Sequence, residues 1–170
     1  MLFRSCFSIS LGFGLAGIAI SVRGGSHDVA KFLMISILSA LLAASLLSVG
    51  LLISAYSRSG ARAIGFAVFL WLFFIVISDL GIMGTSVLMD LGIKQVFTLA
   101  LFNPTEVFKI ASVLILSPRF EVLGPVGTYA LNTFGQDGLL YLLISVLVLW
   151  TLFPLAWGYL IFNVIKREEI

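Results

Sequence analysis

Residues 29–56 read VAKFLMISILSALLAASLLSVGLLISAY, with Lys31 as the sole charged side chain. At 1.5 Å per residue a helix of that length reaches ~40 Å, against ~30 Å for the hydrocarbon core of a bilayer. The span itself is 29–55, and a helix of that length must tilt or protrude. Three more apolar stretches stand around it, at 5–22, 63–84 and 138–163, each long enough to cross. The sequence therefore predicts an all-α integral membrane protein, one membrane domain over residues 1–170 with four transmembrane helices. Composition agrees: 61% of residues are hydrophobic and 11% charged, where a soluble domain has roughly 45–50% and about 25%. A net charge of +2 without a basic stripe gives no reason to expect nucleic acid as a partner. Membrane lipid is the partner that composition does imply.

Within 29–56, Ser36, Ala40, Ala44 and Ser48 recur every four residues. Small side chains let helices approach closely in lipid, where no hydrophobic force draws them together, so Ala40 and Ala44 are expected at a packing surface. Upstream, the polar turn at 23–28 carries His27 and sends the second span back antiparallel to the first. The first span contains Gly12, Gly14 and Gly17 in a G-x-G-x-x-G pattern. That fingerprint needs a preceding strand and an accessible turn, so Gly14 and Gly17 are read as helix-packing positions. The same segment also fits a signal peptide, with residues 19–21 as a small-x-small cleavage site.

Downstream, residues 57–62 form a short loop with Arg58 and Arg62 and no acid. Short cytoplasmic loops collect basic residues, so this loop is placed inside, together with Arg4 and the Lys166-Arg167 end. The third span then leads outward to Asp79, an acid near the membrane surface. Ionisable groups in membrane spans invite a functional reading, although interfacial depth lowers their cost. Pro154 removes a backbone donor from the last span and is expected to kink it between Trp150 and Trp157. Tyr141, Trp157 and Tyr159 are placed for aromatic belts.

Residues 85–137 are too apolar for a solvated loop and too interrupted for a full span. Asp90, Lys94 and Thr98 share one helical face, which suggests an amphipathic helix at the outer interface. Next, Asn103 is placed to cap a helix, with Pro104 at its first position and Glu106 at its third. Phe102 and Val107 have the spacing of a hydrophobic staple. Pro118 ends this helix by Ser117. About 13 residues cannot cross a bilayer, so helices over about 86–117 are expected to be re-entrant or interfacial. Gly124, Pro125 and the glycines up to Gly138 are read as punctuation before the last span.

Catalytic and cofactor chemistry find little support. No phosphate-binding G-x-x-x-x-G-K-[ST] loop occurs, so any ATP hydrolysis belongs to another chain. Cys6 is the sole cysteine, and it and His27 share no ligand spacing with Met34, Met83 or Met89. No serine, histidine and acid fall together. The chain is expected to be no enzyme, with no metal and no cofactor.

The order of features resembles a known family. The Leu-Ile-Ser-Ala-Tyr-Ser-Arg-Ser run at 52–59 precedes a Trp71-centred span closing on Asp79-Leu80. Leu-Phe-Asn-Pro-Thr-Glu-Val-Phe-Lys at 101–109 and Leu-Gly-Pro-Val-Gly at 123–127 follow. Together they resemble the permease subunits of type-2 ABC transporters, specifically the NosY-like permeases of nitrous oxide reductase maturation. The resemblance implies a homodimer of two permease copies bound to a cytoplasmic ABC ATPase and a periplasmic maturation factor, in a bacterial or archaeal inner membrane. It implies export of a sulfur-containing species for copper-sulfide centre assembly, with Arg58 and Arg62 facing the ATPase. Asp79, Asn103, Pro104, Glu106, Lys109, Gly124 and Pro125 would belong to a re-entrant gate or periplasmic-partner region. Such permeases have six spans, so Met1 is expected to align near the start of their third. A non-transporting scaffold that anchors a periplasmic assembly factor is the alternative expectation.

Overall fold

The computed structural model describes residue 12 and residues 26–57, 59–88, 92–116 and 124–168, with side-chain detail at 12, 29–57, 59–76, 92–116 and 125–162. The expected span at 5–22, Gly14, Gly17, the cleavage pattern at 19–21 and Arg58 lie outside the described residues. Among the described residues every element is a helix: α1 (Ser26–Tyr56), α2 (Gly60–Leu88), α3 (Ile93–Leu101), α4 (Pro104–Leu116) and α5 (Gly124–Glu168). The protein is an all-α membrane protein. Helices α1 and α5 are each long and apolar enough to cross a bilayer.

Local chemistry accounts for the helix ends. Helix α1 starts at Ser26, so residues 26–28 form its first turn rather than a loop. Helix α2 is capped by Ser59, whose Oγ accepts from the Arg62 N–H at 3.4 Å. It runs 29 residues, outreaching the expected 63–84 at both ends and passing through Gly81 and Gly84. A glycine in a helix interior costs ~0.5–1 kcal/mol, but in lipid a broken helix leaves backbone groups without partners at greater cost. The same logic extends the last helix back from the expected 138 through the punctuating glycines of 124–138. That stretch is helical apart from Gly135, which adopts φ 70 and ψ 171, a conformation reserved for glycine. The chain also continues as helix through Pro154.

Helices α3 and α4 form a hairpin whose axes bend by 108° at Phe102-Asn103. At 9 and 13 residues, the arms reach ~14 and ~20 Å, and neither alone crosses a bilayer. Helix α4 is described from Pro104 to Leu116. It lies inside the bundle, where Val107, Ile110, Ala111 and Leu114 pack with Leu38 of α1 and Leu139, Leu143 and Leu147 of α5.

Helices α1 and α5 run in the same direction, since Ser48 lies beside Trp150 and Leu52 beside Gly158. Helix α2 returns antiparallel to α1 after a three-residue link. The buried face of α1 is Leu38, Ser45, Ser48 and Val49, whereas Ala40 is exposed. The expected row of small residues therefore fails as a packing seam within this chain at Ala40, with Ala44 half-buried. The reason is angular. A step of four residues advances ~40° around a helix with 3.6 residues per turn, so a row from 36 to 48 winds ~120° away from a facing partner. Steps of seven drift only ~20° and stay in register, which keeps Leu38 and Ser45 on one face.

Candidate functional site

Side-chain hydrogen bonds that join different helices meet around the tip of the α3–α4 hairpin. Asn103 is 3% exposed and uses both ends of its amide. Its Oδ1 accepts from the Thr105 N–H at 3.0 Å and the Thr105 hydroxyl at 2.6 Å, capping α4 as the sequence predicts. Its Nδ2 donates to the Phe74 carbonyl at 2.7 Å, which ties the tip to α2. The Asn103 N–H itself donates to the Ala100 carbonyl at 3.1 Å. Phe102 is 69% exposed while Val107 is fully buried, so the two staple residues face different surroundings.

Depth follows from these partners. Phe74 is the central residue of the 29-residue α2, so ~21 Å of helix lies on either side of it. The tip therefore reaches the middle of the bundle, and both arms lead back to the side where α2 ends. That is the geometry of a re-entrant hairpin. Backbone leaving helical form at membrane depth is tolerated where protein surrounds it and supplies partners, and here the partners are identifiable.

A second set of bonds comes from α5. The Trp150 indole Nε1 donates to the Leu101 carbonyl at 3.2 Å, an acceptor left over at the C-terminus of α3. Its ring meets Phe74 edge-on, with centroids 5.8 Å apart, a favoured arrangement of aromatic pairs. The Trp150 carbonyl has no ordinary helical donor, because the residue four positions on is Pro154. Ser48 of α1 replaces it. Its Oγ lies 3.1 Å from the Trp150 carbonyl and 2.7 Å from the Ser45 carbonyl, and its single hydrogen serves these two acceptors. Ser48 is 1% exposed.

Glu106 and Lys109 sit on the next turn of α4 with 3.1 Å between Nζ and Oε1. The Glu106 side chain is 7% exposed and that of Lys109 51%. The structure thus brings Asn103, Pro104, Glu106 and Lys109 together within two turns of one helix. The remaining expected residues stand apart. Arg62 is exposed in the first turn of α2, at the opposite end from the hairpin arms. Asp79 lies in α2 with its side chain outside the described residues, and Asp90, the expected partner of Lys94, lies outside them altogether. Gly124 opens α5 and Pro125 is exposed beside it.

Phe74, Trp150 and Ser48 are the tip residues that the sequence does not announce as a set. One signal existed: a proline within an apolar span orphans the carbonyl four residues earlier, and such a carbonyl needs a donor from a neighbouring helix. Among the described residues no three metal-ligating side chains cluster.

Two cavities flank the tip. One of about 130 Å³ lies between α1 and α2, among Leu46, Val49, Ile53, Leu70, Trp71 and Phe74. The other, about 450 Å³, lies between α3 and α5, among Thr98, Leu101, Phe102, Leu149, Trp150 and Phe153. Both are apolar.

No family model, no characterised protein and no solved structure matches this chain.

Proposed function

We propose that the chain is the permease subunit of a type-2 ABC transporter of the NosY-like kind. The observation that carries the reading is the re-entrant hairpin, whose tip is hydrogen-bonded to α2 and α5 at the middle of the bundle. Such an element, entering from the side opposite Arg62, suits a gate on the exit side of a transporter. The loop with Arg58 and Arg62 would then meet a cytoplasmic ATPase, as short basic loops lie inside. The sequence lacks a phosphate-binding loop of its own, in keeping with ATP hydrolysis on a separate chain. On this reading two permease copies pair in a bacterial or archaeal cytoplasmic membrane, and a maturation factor docks on the outer face. The cargo is a sulfur-containing species destined for a copper-sulfide centre.

Purification of the complete gene product from its native membranes in mild detergent tests the proposal. An ATP-hydrolysing subunit should accompany it, and transport in reconstituted vesicles should require ATP. Purification without any ATPase, together with ATP-independent activity, overturns it.

One observation favours a second reading, a scaffold that anchors an extracytoplasmic assembly factor. The cavities beside the tip are lined almost wholly by apolar side chains, whereas a conduit for a polar cargo is expected to carry polar groups. Under this reading substitutions at 102–127 abolish partner binding, while Arg58→Ala and Arg62→Ala leave activity unchanged.

A further inference from the structure

We propose that the groove between α3 and α5 is a binding site for one anionic phospholipid, with an acyl chain in the groove and the headgroup phosphate at Lys94. On α3 and its C-cap the groove is lined by Thr98, Leu101 and Phe102, and on α5 by Val146, Leu149, Trp150 and Phe153. Each set recurs at three- and four-residue steps, so two helical stripes face each other across a channel. Its volume of about 450 Å³ falls in the range of about 300–1,000 Å³ that holds a single small molecule. A partner helix ~10 Å across would need roughly twice that volume over two turns. A flexible hydrocarbon chain is the occupant whose size and polarity fit.

The floor of the groove is fixed. Trp150 is pinned through its indole N–H to the Leu101 carbonyl, so the deep end cannot collapse without breaking that bond. The single hydroxyl in the lining, Thr98 Oγ1, donates to the Lys94 carbonyl at 2.9 Å. No hydrogen-bond donor of the lining is left to hold a polar cargo.

The mouth is different. Lys94 lies one turn before Thr98 on the same face of α3, towards the membrane surface, and is exposed. It occupies the second position of the helix, where the first N–H groups have no partner within the helix and the helix terminus is positive. A phosphate seated there meets an ammonium group and a helix N-terminus together, directly above a channel for its chain. A neutral zwitterionic lipid gains less from the same mouth because its own cation repels Lys94. Selection by headgroup charge is the distinctive consequence.

Trp150 reports on the site. In the W71F/W157F variant it is the only tryptophan, since the chain has three, and both replaced residues are exposed. The variant is reconstituted into bilayers containing brominated phosphatidylglycerol or brominated phosphatidylcholine, and quenching of Trp150 is measured. The brominated anionic lipid should show about fivefold higher apparent affinity, as one lysine near an anionic headgroup provides. Lys94→Gln should bring the ratio close to one while far-ultraviolet circular dichroism stays unchanged. A ratio near one in the parent variant, or one that Lys94→Gln leaves unmoved, overturns the proposal. Absence of quenching by both lipids overturns it too, and points to a second copy covering the groove. Should the tryptophan variant not fold, a diazirine-bearing phosphatidylglycerol can be crosslinked to the unaltered chain. Label mapping outside residues 94–102 and 146–153 is then the refuting result.

Discussion

Asn103 does two jobs with one amide, and they make opposite demands. Its oxygen caps α4 and its nitrogen holds the α2 backbone. The orientation is fixed by its partners, since a reversed amide would aim its hydrogens at the Thr105 N–H and its oxygen at the Phe74 carbonyl. Asn103→Ala loses the cap, worth about 0.5–2 kcal/mol, and the bond to Phe74. Asn103→Asp retains a capping oxygen but turns a second acceptor on the Phe74 carbonyl. Thermal unfolding in mild detergent should therefore rank the variants wild type, then Ala, with Asp at or below Ala. If Asp equals wild type, the cap alone matters and the tie to α2 is incidental. The cap was legible in the sequence because Asn-Pro-x-Glu is a local signal. The tie was not, because its acceptor is a main-chain carbonyl 29 residues away, and a carbonyl leaves no mark in the sequence.

Helices α1 and α5 are joined where one of them is chemically incomplete. Pro154 withholds the N–H that the Trp150 carbonyl would receive, and Ser48 supplies a hydroxyl. Ser48→Ala should lower stability by about 0.6 kcal/mol and at most ~1.7, the span measured for such interhelical bonds in membranes. Pro154→Ala restores a backbone donor, so in that background Ser48→Ala should cost less. A double-mutant cycle on unfolding in detergent reads the difference directly. Strict additivity would show that Ser48 bonds only to Ser45. Gly135 sets the other irregularity of α5: at φ 70 and ψ 171 a side chain is strained, although no neighbour obstructs a Cβ there. Gly135→Ala should cost about 1–3 kcal/mol in the same assay, through backbone strain alone. Sequence patterns located these helices well and their boundaries less well. Gly84 bounds the expected third span and the glycines at 124–138 read as punctuation by the rules of water, whereas in lipid the unpaired backbone decides. Within this chain the row of small residues leaves the packing face of α1 at Ala40, because an i,i+4 row looks straight on paper and winds around a real helix.

At the scale of the molecule, the α1–α2 link and the end of α5 lie on one side and the hairpin enters from the other. The three-residue link between α1 and α2 and the direction shared by α1 and α5 place Tyr56, Gly60 and the end of α5 together. The arms of α3 and α4 open towards the opposite side, with Phe102 and Asn103 at mid-depth. Among the described residues, the spans of α1 and α5 and the bent pair could be read from apolar length and from the Asn-Pro start of α4. The convergence on Phe74, Trp150 and Ser48 could not, since it depends on which helices meet. The arrangement makes a specific demand on accessibility. With Cys6 replaced by alanine, single cysteines at Arg62, Ile93, Phe102 and Thr128 can be challenged with a membrane-impermeant thiol reagent from each face. Positions 93 and 128 should react from one face and 62 from the other. Position 102, although bare of protein contacts over most of its surface, faces hydrocarbon at the tip and should resist the reagent from both. Labelling of 102 from the face that reaches 62 would mean that the hairpin crosses the bilayer as a broken span. In that case α4 would have to continue on the far side, and the shared partners of Asn103 and Trp150 could not lie at the centre of α2.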